Sequence, residues 1–113
     1  NGHIAFNDPD VANFNDHKLV KIVKLDHVCR QQQVNEKCFE TLEQVPTEAL
    51  TLTIPALLKA KWMFCIVPFK NKSQAVYRTI HGDISEKCPA SILRRKEKSS
   101  LYLDTESAQL LNL

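Results

Sequence analysis

Glycine is almost missing from this chain: two residues in 113, Gly2 and Gly82. A complete enzyme that cradles phosphate on glycine-rich strand ends needs more, so such loops are expected to lie upstream of Asn1. No apolar run approaches the roughly 18 residues of a membrane-spanning helix, so no membrane partner is expected. The opening residues lack the basic-then-apolar pattern of a secretory leader. The cysteines, Cys29, Cys38, Cys65 and Cys88, include no pair two residues apart, and no histidine lies at a finger-like distance. Reduced thiols, no metal and a cytoplasmic location are the expectation, with Cys65 a small core residue. A dominant charge is missing too: 15 Lys+Arg against 13 Asp+Glu leave a net +2, too little to imply nucleic acid. Arg94-Arg95-Lys96 reads as a solvated helix end.

What is present suits a globular domain, with 43% hydrophobic and 25% charged residues and no internal repeat. The length fits one small domain or half of a larger one. Residues 19–25, LVKIVKL, are rich in β-branched side chains and predict a strand. Asp26 is placed to cap a helix running from Val28 to Phe39. Residues 50–54, LTLTI, alternate with period two and predict a second strand. Pro55 suits the first turn of a helix from Ala56 to Lys61. The unbroken apolar run Trp62–Val67 predicts a central parallel strand buried on both faces, stopped by Pro68. A helix from Asn71 places Ala75, Val76, Thr79 and Ile80 on one stripe and ends at Gly82. Pro89 opens another helix, Ala90–Arg95; Leu101–Leu103 forms a short strand, and Thr105 caps a last helix toward Leu111.

Strands alternating with helices predict an α/β fold, Rossmann-like and layered, with a mostly parallel sheet. Ligands in such sheets bind at the carboxyl ends of strands. That rule selects the opening loop, the loop Pro68–Lys72 and the turn after Leu25. In the opening loop, Gly2 frees the backbone before His3, and Asp8 lies five residues on, restrained by Pro9. A carboxylate near a histidine orients the ring and tunes its proton affinity. Taken alone, a His and an Asp so spaced are more often turn and cap residues.

The stretch NGHIAFNDP resembles the signature of the glucosamine-6-phosphate deaminase and galactosamine-6-phosphate isomerase family, within the 6-phosphogluconolactonase-like superfamily. The similarity continues through QVPTEALTLTIPALLKAK (Gln44–Lys61), MFCIVPFKNKSQAV and SLYLDTESAQLL. It covers nearly the whole chain and implies that residues 1–113 are the C-terminal half of one sugar-phosphate isomerase/deaminase domain, with the Asn-Gly-His start a cut through an active-site loop. The implied partners are a hexosamine 6-phosphate substrate and the N-terminal half of the same domain. A homo-oligomer is compatible with the resemblance, and no cofactor is implied.

Carried over by motif, His3 matches the ring-opening histidine and Asp8 the acid that supports it, one methylene shorter. Asn1 stands where many members have an aspartate. It can hold the ring by an amide contact, and Asp8 is expected within hydrogen-bonding reach of the imidazole, directly or through one water. Lys72 matches the lysine that contacts the substrate phosphate. Arg30, in CRQQQVN, matches a substrate-phosphate arginine; by itself it reads equally as an exposed helix arginine. Phe69 departs from the family pattern, in which glycine usually occupies this loop. The proton-abstracting carboxylate of the family belongs to the N-terminal half, so the chain alone is expected to be inactive. Two alternatives remain at this point: a 6-phosphogluconolactonase-like hydrolase, and a non-catalytic sugar-phosphate-binding module.

Overall fold

The computed structural model describes all residues, Asn1–Leu113. Strand β1 (Val20–Lys24) pairs antiparallel with β2 (Glu48–Leu52), with Val20 opposite Leu52 and Val23 opposite Ala49. Period-two alternation buries Val23 and Thr51 on one face. The other face carries Val20, Ile22, Leu50 and Leu52, all exposed. Between the strands, Asp26 caps α1 (His27–Asn35), its Oδ1 accepting the Cys29 N–H at 2.7 Å. The helix stops at Asn35, short of Phe39. Lys37 takes a left-handed φ of 63°, which turns the chain toward a 3-10 turn at Leu42–Gln44. α1 buries none of its residues. Its packing runs mainly onto that turn, so the connection from β1 to β2 is a return rather than a crossover, and the pair is antiparallel.

β2 ends at Leu52, because Thr53 is the N-cap of α2 (Ile54–Leu58) rather than the continuation of a strand. Pro55 sits in the first turn as expected. Strand β3 (Met63–Val67) then begins a β-α-β unit: a 3-10 turn at Lys70–Lys72, helix α3 (Ser73–His81), a 3-10 stretch at Pro89–Arg95, and β4 (Ser99–Leu103) parallel to β3. α3 buries Ser73, Val76 and Thr79 and packs on the Pro89–Arg95 stretch. Gly82 follows the last turn, and the Arg94 guanidinium donates to the carbonyls of Ile80 and Gly82, satisfying groups the helix end leaves open. The last predicted helix is a run of turns, and Asp104 rather than Thr105 caps it, accepting the Ser107 N–H at 2.7 Å.

The α/β class therefore stands, as two separate two-stranded sheets, one parallel and one antiparallel. The parallel pair is the predicted one, but β3 is not buried on both faces. Phe64 is 64% and Ile66 73% exposed, because β3 pairs with β4 alone and no layer of this chain covers that side.

The fully buried Thr53 joins the two halves of this region. Its hydroxyl donates to the Lys18 carbonyl at 2.7 Å and accepts the Ala56 N–H at 3.4 Å. Thr53→Val keeps the volume and strands both groups. It should lower stability by about 1–2 kcal/mol, the cost of a lost cap and of the hydrogen bond to the Lys18 carbonyl, read as a shift in denaturation midpoint at constant slope.

Candidate active site

The opening loop is fixed at both ends. Gly2 has φ 74°, and a Cβ there would sit 2.5 Å from Cys88 Sγ, so only glycine fits. Its carbonyl accepts the Ala90 N–H at 2.7 Å, tying the loop to the Pro89–Arg95 stretch. At the far end the wholly buried Asn7 donates through Nδ2 to the carbonyls of Ile4 and Leu52, both at 2.9 Å. The Phe6 N–H donates to Thr51 Oγ1 at 3.2 Å. His3 is thus held between the β-α-β unit and the end of β2.

Asn1 lies between His3 and Asp8. Its Nδ2 donates to Asp8 Oδ1 at 2.8 Å, and its Oδ1 faces His3 Nδ1 at 2.9 Å. The direct His3 Nδ1 to Asp8 Oδ1 distance is 4.0 Å. The expected amide contact is present, but Asp8 makes no direct hydrogen bond to the ring, because the Asn1 side chain stands between them and bonds to both. The amide orientation is fixed by its neighbours: the His3 N–H donates to Oδ1 at 3.1 Å, and the Asp8 carboxylate can only accept. Oδ1 therefore accepts from the imidazole, Nδ1 carries the hydrogen, and Nε2 of the neutral ring has the free lone pair.

Burial lowers the pKa of His3 below its ordinary 6.5, and this outweighs the nearby Asp8 carboxylate, which raises it; Lys72 lowers it further. Lys72 thus shares the electrostatic neighbourhood of His3. It closes the Lys70–Lys72 turn at the start of α3, where no side chain caps the helix. A cation beside open helix amides suits an anion. Arg30 is turned elsewhere. Its Nη2 donates to the carbonyls of Leu42 and Val45 at 2.9 and 3.1 Å, and its Nε is buried without a partner. The guanidinium holds the turn after α1, which the sequence motif did not indicate.

Cys29 was not among the candidates read from the sequence. Burial, then the charge of Asp8, pushes its thiol up to about 11, so it stays protonated beside the carboxylate. Glu36, at the end of α1, raises the pKa of both Cys29 and His3. Only the proximity of α1 to the loop reveals these two, and no residue pattern carries that. No group of three or more His, Cys, Asp and Glu is arranged to hold a metal ion.

Between the depressed folded pKa of His3 and 6.5, the unfolded chain binds more protons than the folded one. Stability therefore falls as pH drops below 6.5, until the folded pKa is passed. Asn1→Asp adds negative charge at Nδ1 and should raise the His3 pKa and narrow that window. Titration of the imidazole by NMR in both forms checks the direction.

No family model matches the chain. A glucosamine-6-phosphate deaminase of Halalkalibacterium halodurans is 35% identical over 109 residues, which is 96% of this chain and 42% of the relative. The enzyme of that name from Exiguobacterium sibiricum is 38% identical over 112 residues, covering 99% of this chain and 42% of its own length. Among solved structures, a monomeric glucosamine-6-phosphate deaminase, described as a missing link of the NagB superfamily, superposes with a TM-score of 0.87 at 34% identity. The match takes in 97% of this chain and 44% of that one. The chain spans less than half the length of the curated relatives it matches, and over nearly all of its own length it is similar to glucosamine-6-phosphate deaminases.

Proposed function

We propose that this chain supplies the ring-opening and phosphate-holding part of an enzyme that isomerises a hexosamine 6-phosphate to its C2 imine, which one water hydrolyses to the ketose phosphate and ammonia. The observation that carries the reading is the Asp8–Asn1–His3 chain of contacts, which leaves Nε2 of a neutral histidine as the free base. Such a nitrogen takes the proton from the C1 hydroxyl and returns it to the ring oxygen as the C1–O bond opens. The low pKa keeps the ring neutral at working pH. Asp8 stabilises the imidazolium while it lasts, through the Asn1 dipole rather than by direct contact. Lys72 and the open start of α3 take the 6-phosphate. Arg30, bonded to Leu42 and Val45, positions the loop after α1 in this scheme. The proton shift between C2 and C1 needs a carboxylate contributed by the N-terminal half of the domain. That half also covers Phe64 and Ile66, adds a strand to the open edge of β3, and works with this chain in the cytoplasm.

The test is product analysis on the full-length protein supplied with glucosamine 6-phosphate and galactosamine 6-phosphate. Ammonia and ketose phosphate in equal amounts support the proposal; hydrolysis of a 6-phosphogluconolactone with no ammonia would sink it. His3→Gln should lower kcat by about 10²- to 10⁴-fold, the range for a lost general acid–base group. The loss should shrink with open-chain substrate. Lys72→Ala should weaken substrate binding by about 1.5–3 kcal/mol, seen as a raised KM at nearly constant kcat.

A further inference from the structure

Phe69 is held where an L-residue rarely goes. Its φ is 81° and its ψ 147°, a region that glycine alone enters freely. The strain is maintained by Asp104, immediately after β4. The Phe69 N–H donates to Asp104 Oδ2 at 2.9 Å while Oδ1 accepts the Ser107 N–H at 2.7 Å. Those backbone donors, Ser107 first, hold the Asp104 carboxyl below its ordinary range. The residue just after one parallel strand therefore fixes the second residue beyond the end of the other.

The ring does not fill the core; Phe69 is 63% exposed. Its carbonyl accepts the Lys72 N–H at 3.1 Å, and the Lys72 charge reaches His3. The conformation thus costs free energy, contributes no core packing within this chain, and displays an aromatic ring on the loop that carries Lys72. An aromatic face in that place suits the C–H surface of a ligand whose charged end lies on the lysine.

We infer that Phe69 is a specificity-determining residue: an apolar wall against which the carbon skeleton of a sugar phosphate packs while Lys72 takes its phosphate. This rests on the function proposed above. Inorganic phosphate has no carbon skeleton and gains nothing from the ring.

The experiment measures binding of hexosamine 6-phosphate and of inorganic phosphate by titration calorimetry, with ammonia release measured in parallel, on the full-length protein and its Phe69→Ala and Phe69→Gly forms. Phe69→Ala removes the ring and keeps the strained backbone occupied by a Cβ; Phe69→Gly removes both. The wall predicts that both variants bind the sugar phosphate about tenfold more weakly and bind inorganic phosphate as the parent does. Phe69→Gly should melt higher than Phe69→Ala because the strain is relieved. Unchanged sugar-phosphate binding, or an equal loss for inorganic phosphate, overturns the wall. Where ammonia release by the parent protein stands, only this inference has failed. Tight sugar-phosphate binding without ammonia release counts against the reaction and leaves the wall standing, and failure of the parent to bind sugar phosphate overturns both.

Discussion

The placement of the histidine depends on one buried amide. Asn7 sits wholly inside the protein and uses both of its Nδ2 hydrogens on backbone carbonyls, one in its own turn and one at the end of β2. Its Oδ1 is left without a partner. Leaving such an acceptor unmet costs about 1–3 kcal/mol, so the two donated bonds and the burial around them must outweigh it. Without that anchor, the turn at Ile4–Asn7 has only the Phe6 bond to Thr51 to hold it on the strand. Gly2 supplies the opposite fixing point, its carbonyl accepting the Ala90 N–H where Cys88 leaves no room for a side chain, and His3 is suspended between the two.

Electrostatics in the loop then follow from which group stands next to the ring. An amide at Asn1 transmits the influence of Asp8 as a dipole, whereas a carboxylate would deliver a full charge at 2.9 Å from the imidazole nitrogen. Burial consequently wins, and the histidine favours its neutral form. The same environment keeps Cys29 protonated. Asp8 is the buried acid of this loop, and its carboxylate accepts from the Asn1 amide, with the His3 ring nitrogen 4.0 Å away.

Much of this architecture was legible locally. Asp26, Pro55 and the alternating strands act within a few residues of themselves, and each formed the element expected. Thr53 was misread because the run LTLTI satisfies strand periodicity, yet a threonine hydroxyl can equally cap a helix, and Pro55 gave the helix the stronger claim. The apolar run at Trp62–Val67 correctly gave a parallel strand, but its burial depends on layers that periodicity does not identify. The motif pointed to Asn1, His3, Asp8 and Lys72, of which the first three are joined by hydrogen bonds and the fourth acts electrostatically on His3. Asn7, Cys29 and Glu36 stayed hidden because their roles depend on contacts or fields between separate parts of the fold. Arg30 was assigned from a motif, while its guanidinium answers to two carbonyls 12 and 15 residues away.

The open edge of β3 shapes how the polypeptide behaves whenever it is unprotected. The segment WMFCIV carries no charge, proline or glycine, and its unpaired backbone groups stand beside the exposed Phe64 and Ile66. Those are the properties of a segment that templates intermolecular strand pairing and cross-β stacking. Its natural safeguards are the flanking Lys59, Lys61 and Lys70, whose like charges oppose stacking of copies in register. Neutralising these lysines would leave the opening loop chemically intact and turn the chain toward aggregation during synthesis, so they act as gatekeepers against strand stacking.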